Sequence, residues 1–257
     1  MGSAVSFLAA AQFLTRVPIR LRREPVMTNA VPWFPPVGAV IGAAVGGVAA
    51  GLWFVVPPLV AAAVAVAFGL LITGAFHEDG LADIADAFGG GWTIERRLEI
   101  LKDPRHGSYG VAAMCSSIVL RMVTLGSLPG PLAMFVGAVA AHTIGRAAAV
   151  GLMGFGRIAT PTGLGADYAR TLRPGRAIAG VVAGLAITAA ICGWWTAPLA
   201  GAAVVGSLLV ALLAQRKIGG ISGDVLGACE QVVECLALIV FAGLATHSSL
   251  AATVWFR

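Results

Sequence analysis

Charge is what this chain lacks. Only 11% of its 257 residues are Asp, Glu, Lys or Arg, whereas a soluble globular domain carries about 25%. No long polar block is left over for a separate soluble domain, and with 58% hydrophobic residues and a mean hydropathy of +0.90 the composition is that of a polytopic membrane protein. Cysteine is scarce as well. Cys115, Cys192, Cys229 and Cys235 sit in or beside apolar stretches without a closely spaced motif, which argues against a structural metal or a disulfide framework and for small helix-packing residues. The start, "MGSAVSFLAAAQFLTRVPIRLRRE", has no positive region ahead of its apolar run, so it reads as retained sequence, a short membrane-surface or partly inserted helix ending before Pro18. The net charge of +5 would suggest nucleic acid in a soluble chain. Here it is read by position, and no nucleic-acid partner is expected.

What is present is a series of apolar runs near the roughly 20 residues that cross a bilayer. Spans are expected over about 33–56, 57–76, 109–128, 131–153, 177–195, 197–214 and 225–247. The fold class is therefore all-α, a bundle of about seven transmembrane helices forming one integral membrane domain over 1–257. Small residues at four-residue spacing in "GAVIGAAVGG", Gly38 to Gly47, let helices approach closely in lipid.

The basic residues test this layout. Arg16, Arg20, Arg22 and Arg23, then Arg96, Arg97, Lys102 and Arg105, then Arg157, Arg170, Arg173 and Arg176, and finally Arg216 and Lys217 all fall on one side. The connections at Pro57-Pro58, Pro129-Gly130 and Ala197-Pro198 contain no Lys or Arg, and Arg257 alone ends on that face. The positive-inside bias places the basic side in the cytoplasm.

The same side holds three polar clusters. In "GAFHEDGLADIADAFGG", Gly74 to Gly90, the acids Glu78, Asp79, Asp83 and Asp86 stand with no Lys or Arg among them. On a helix beginning near Asp79, the spacings of four and three put Asp79, Asp83 and Asp86 on one face. Ionised carboxylates so placed call for a counterion, and a hard divalent cation with oxygen ligands is the natural one. A solvated acidic helix start is the plainer alternative. Gly80 would let a substrate phosphate or sugar approach the backbone. In "LEILKDPRHGSYG", Leu98 to Gly110, a short helix lying along the membrane surface ends at Pro104. Lys102 and Arg105 are phosphate-binding candidates there, Asp103 is a metal ligand or an orienter of Arg105, and Gly107 leaves room for an irregular turn. His106 would donate a proton, bind phosphate, or be an ordinary loop histidine. In "GGISGDVLGACEQVVE", Gly219 to Glu234, Asp224 joins the mouth of the site or caps its own helix. Glu234, with Glu230 one turn away, should point into the bundle. Arg121 and Arg146, inside predicted spans, would neutralise such an acid or line an anion cavity with His142.

Taken together, these motifs and the opening "AAQFLTRVPI" resemble the cobalamin 5′-phosphate synthase family, also called adenosylcobinamide-GDP ribazoletransferase, over nearly the whole chain. The resemblance implies a multi-pass enzyme of the bacterial inner membrane with its active site facing the cytoplasm. It would join adenosylcobinamide-GDP to α-ribazole or its 5′-phosphate with Mg²⁺ as cofactor and release GMP. It implies metal ligation by Asp79, Asp83, Asp86 and Asp103, catalytic roles for Asp86, Lys102 and Arg105, and substrate or cofactor contacts at Gly80, Gly107 and Asp224. By analogy with the related CDP-alcohol phosphotransferases, Asp86 is the expected base. A homo-oligomer, or association with other cobalamin-assembly enzymes, is left open. Departures from the family pattern are Ala87 after Asp86, Leu101 where Met is common, and Ser222 where Thr is common. Two rivals stand beside this reading: a CDP-alcohol phosphotransferase acting on lipid, with the same metal logic, and a transporter using Glu234, Arg121 and Arg146.

Overall fold

In lipid every backbone N–H and C=O must be satisfied within the chain, so runs of Gly, Ala and Val that make weak helices in water form continuous ones here. The computed structural model describes residues 2–21, 25–159 and 171–248, and these contain helices and no named strand. The loop residues Gly165, Asp167 and Arg170, together with Arg22, Arg23 and Arg257, lie outside the described residues.

Helix α1 spans Ser3–Leu14 and leads to a single turn, α2, at Met27–Ala30. Then come α3 (Phe34–Leu52), α4 (Pro58–Thr73), α5 (Phe76–Gly90), α6 (Ile94–Ile100) and α7 (Ser108–Gly126). The chain continues through α8 (Pro131–Phe155), α9 (Pro174–Cys192), α10 (Thr196–Ile218) and α11 (Gly223–His247). Pro58, Pro131 and Pro174 open their helices, where the missing N–H has no partner to lose.

Helix α8 is the hub, packed against α3, α9 and α11. The glycine stripe makes the first of these contacts: a Cβ on Gly38, Gly42 or Gly46 would come within 2.5 Å of the His142 carbonyl, 2.7 Å of the Ala138 carbonyl and 2.8 Å of the Phe135 Cα. Helix α9 runs antiparallel to α8, with Gly154 against Ala177 near one end and Ala147 against Gly184 further along. The chain then reverses at Gly193, φ 56°, and α10 returns along α11, where Gly206 meets Val233 and Leu236.

Five apolar helical stretches are long enough to cross a membrane, and six if the bent pair α4–α5 counts as one. Two features separate this from the seven expected. Pro174–Ile218 forms one 45-residue apolar stretch containing the Gly193 reversal, and α4, with 16 residues, reaches spanning length only together with α5. Between α4 and α5 the axis turns by 89° through Gly74 (φ 69°) and Ala75 (φ 55°). Both are left-handed, a conformation costly for alanine. That turn swings the acidic helix across the end of the bundle, against α7 and α11.

Candidate active site

Helix α5 has two opposed polar faces. Inward, His77 and Glu78 are 6% and 3% exposed. Outward, one turn apart, are Asp79 and Asp83, whose side chains are 62% and 16% exposed. His106 enters between these two carboxylates from the loop before α7, its Nε2 3.3 Å from Asp79 Oδ1 and its Nδ1 3.4 Å from Asp83 Oδ1. The other charges acting on Asp83 are Asp224 and Asp86. Asp224 arrives from the first turn of α11, whose N-cap is Ser222, the hydroxyl accepting from Val225 N at 3.3 Å. The cap is thus the serine, and Asp224 is left at the mouth. An open groove of about 510 Å³ continues from His106 and Gly107 along Ser108, Val111, Ala112 and Cys115.

Two expected site residues have other partners. Gly80 is buried against α11, where a Cβ would lie 3.0 Å from the Asp224 carbonyl and 3.3 Å from Gly227 Cα. It allows a close helix crossing there. Asp86, expected to be a base and a metal ligand, is 9% exposed. Its Oδ2 accepts from Gly107 N at 2.6 Å and its Oδ1 from Gly110 N at 2.9 Å. It therefore satisfies first-turn amides of α7 that have no partner within their own helix, with a negative charge at the positive end of the helix dipole. The glycine at 110 follows from this, because a Cβ there would collide with Asp86 Oδ2 and stand 2.8 Å from the Ala82 carbonyl.

Asp103 grips Arg105 with both oxygens, accepting from Nε at 2.9 Å and from Nη2 at 2.7 Å. The hydrogen bonds from Arg105 pull the Asp103 carboxyl down to about 2, and the same pairing raises Arg105. Of the two readings of Asp103, the geometry matches the orienter of Arg105. Among the described residues no contact joins it to Asp79 or Asp83. Lys102 is exposed on the same loop.

Beneath the mouth lies a buried ionic core. Arg121 of α7 donates from Nη2 to Glu78 Oε1 at 2.8 Å and from Nη1 to Glu234 Oε1 at 3.1 Å. Arg146 of α8 donates to Glu234 Oε2 at 3.0 Å and pairs with Glu230. His142 Nδ1 lies 2.8 Å from Glu234 Oε2, and His77 Nδ1 lies 3.4 Å from Glu230 Oε2. The arginines expected to neutralise an intramembrane acid do so. His142, Glu230 and Glu234 offer ligand atoms within 4.8 Å of one another, a spacing that could hold a divalent cation. Yet Arg146 Nη1 already meets all three residues, reaching His142 Nδ1 at 2.9 Å. Sequence reasoning did not place His77 and Glu78 in this core. The available signal was that Glu78 is followed three and four residues on by Leu81 and Ala82, an apolar helical face.

The bundle and its acidic mouth define a polytopic membrane protein whose ionisable residues are divided between a wet, acidic site and a self-paired core. The sequence pattern of the family described as Cobalamin-5-phosphate synthase matches residues 6–242, and the chain belongs to that family. It is 40% identical over 249 residues to the adenosylcobinamide-GDP ribazoletransferase of Bradyrhizobium diazoefficiens, covering 91% of each chain. It is 37% identical over 243 residues to that of Ralstonia pickettii, covering 89% of this chain and 91% of the relative. With the Chlorobaculum tepidum protein of the same name it shares 34% identity over 255 residues, 91% of this chain and 94% of the other. No solved structure matches the chain.

Proposed function

We propose that this protein is an adenosylcobinamide-GDP ribazoletransferase. It moves the adenosylcobinamide phosphate moiety from adenosylcobinamide-GDP to α-ribazole or α-ribazole 5′-phosphate, releases GMP, and forms adenosylcobalamin or its 5′-phosphate. The observation that carries the reading is the convergence of Asp79 and Asp83 around His106 at one end of a membrane bundle, beside the basic loop of Lys102 and Arg105, in a chain matched to the family over residues 6–242. A transporter would need its intramembrane charges free to engage cargo, whereas Arg121, Arg146 and Glu234 are bound to one another.

The donor set suits Mg²⁺. Asp79 and Asp83 offer hard oxygen ligands, no Lys or Arg among the described residues pairs with them, and they would hold the ion, with Asp224 nearby. When bound, the ion offsets diphosphate charge and polarises the phosphorus under attack. Lys102 and Arg105 bind phosphate oxygens, and Asp103 keeps the Arg105 guanidinium turned. The ribose hydroxyl of α-ribazole forms a new bond to the cobinamide-side phosphorus as the bridging P–O bond breaks and GMP leaves. Because both Asp86 oxygens are held by amides, we assign the hydroxyl proton to Asp224. Asp86 keeps the loop over the site.

We also read seven spans, with the mouth cytoplasmic. The Gly193 reversal divides Pro174–Ile218 in two, and α4 with the bent start of α5 completes a further span. The one-sided basic residues support this orientation.

The test supplies purified protein in detergent with Mg²⁺, adenosylcobinamide-GDP and α-ribazole, and measures GMP and the joined corrinoid together. A parallel reaction receives a CDP-activated lipid and an alcohol. Equal amounts of GMP and corrinoid in the first, and nothing in the second, are expected. Lys102→Ala and Arg105→Ala should each lower turnover by roughly 30- to 1000-fold, the loss of about 2–4 kcal/mol of transition-state stabilisation. Absence of GMP with folded wild-type protein would reject the assignment.

A further inference from the structure

The buried core reaches the mouth through helix α5. Glu78 directly precedes Asp79, and the two point to different sides of α5, Glu78 3% exposed and the Asp79 side chain 62% exposed. Residues follow one another at about 100° around a helix, so whatever holds Glu78 sets the direction in which Asp79 and Asp83 point. What holds it is the Arg121 fork, with one arm on Glu78 and the other on Glu234. The fork is itself braced, because Glu234 also receives Arg146 at 3.0 Å and His142 at 2.8 Å. Helix α5 follows two left-handed residues, and no side chain caps it. Further ties at that end are His77 to Glu230 at 3.4 Å, Phe76 edge-on to Phe13 with ring centroids 5.3 Å apart, and Gly80 packed against Asp224 and Gly227 of α11. Both carboxylates of the fork are buried, so an arm withdrawn from Glu78 leaves a charge without solvent or partner, and α5 must rotate or shift to relieve it. A lysine could not replace the fork, since its single ammonium cannot span two carboxylates in a fixed plane.

We propose that Glu78 and Arg121 are positioning residues that fix the rotation of α5 and hold Asp79 and Asp83 in the arrangement a divalent cation requires. The proposal rests on the metal-dependent reading of the mouth. It gives the self-paired core a purpose: charges buried at a cost inside the bundle set the aim of those at its surface.

The experiment measures Mn²⁺ binding by electron paramagnetic resonance on full-length protein in detergent. Wild type is compared with Glu78→Gln, Glu78→Asp, Arg121→Lys and His142→Gln, each first shown to be monodisperse and cooperatively melting. Glu78→Asp keeps the charge but withdraws it by one methylene, and so serves where Glu78→Gln fails to fold. His142 braces the same core through Glu234 and makes, among the described residues, no hydrogen bond to α5. His142→Gln should therefore lower the melting temperature and leave Mn²⁺ affinity at the wild-type value. The Glu78 and Arg121 variants should lose roughly 10- to 100-fold in affinity, the range seen when outer-shell partners of metal ligands are removed. Wild-type affinity in a folded Glu78 variant would overturn the proposal, as would an equal loss in His142→Gln. Wild-type protein that binds no Mn²⁺ would instead remove the metal reading of the mouth, and this inference with it.

Discussion

At the residue scale, the acids of the mouth are told apart by what they touch. Among the described residues Asp86 meets two amides, Asp103 meets Arg105, and Asp79 and Asp83 meet His106. Asp86→Asn would present an amino group to one of the two α7 amides. It should lower stability by about 1–3 kcal/mol, the cost of a buried polar group left without a partner, read as a fall in the thermal midpoint in detergent. Gly110→Ala should act in the same direction, because its methyl collides with the Asp86 carboxylate. Equal melting of wild type and Gly110→Ala would show that the cap is not formed. For Asp103 the sign is set by a depressed folded value. Its ordinary 3.8 falls to about 2, so the pairing with Arg105 is fully present above about 4 and is lost as pH drops toward 2. Substrate affinity should thus show no Asp103 titration between pH 5 and 9, and the pH profiles of wild type and Asp103→Asn should run parallel there.

At the element scale, two glycines on α3 separate packing from propensity. Gly42 faces α8 with backbone atoms 2.7 Å from where its Cβ would be, whereas Gly47 has nothing within 4 Å. Gly42→Ala should destabilise by about 1–3 kcal/mol through overpacking against backbone that cannot yield. Gly47→Ala should be neutral or stabilising by up to about 1 kcal/mol, since it removes only a flexible residue from a helix. Paired melting curves check both. The small-residue spacing from Gly38 to Gly46 was legible in the sequence because lipid-embedded helices pack by close approach. The helix α5, by contrast, begins at Phe76, before the Asp79 start that the acids suggest. Its direction depends on Gly74 and Ala75, and nothing local marks Ala75 for a left-handed turn.

At the scale of the whole molecule, the basic residues should put the mouth on the cytoplasmic face. In a background with Cys115, Cys192, Cys229 and Cys235 replaced, a single cysteine at Trp92 should react with an impermeant reagent only from the cytoplasmic side, and one at Gly130 only from the other. Labelling of both from one side would overturn the seven-span reading. The sequence by itself determined the class, the helices and the chemistry on offer. Scarce charge requires lipid as solvent, apolar runs near bilayer length require helices, and acids such as Asp79 and Asp83 without a basic neighbour require a counterion. Family motifs could likewise be read residue by residue. Only the tertiary structure decided how like residues divide the work, because Asp86 and Asp83 differ by three positions in the chain but by entire environments in space. One lies under the start of α7, 21 residues on, and the other opposite His106. The same holds for Glu78 and Arg121, whose pairing across 43 residues depends on a helix turned through 89°. Burial, amide partners and counter-charges are set by long-range packing, and a local pattern of residues does not contain them.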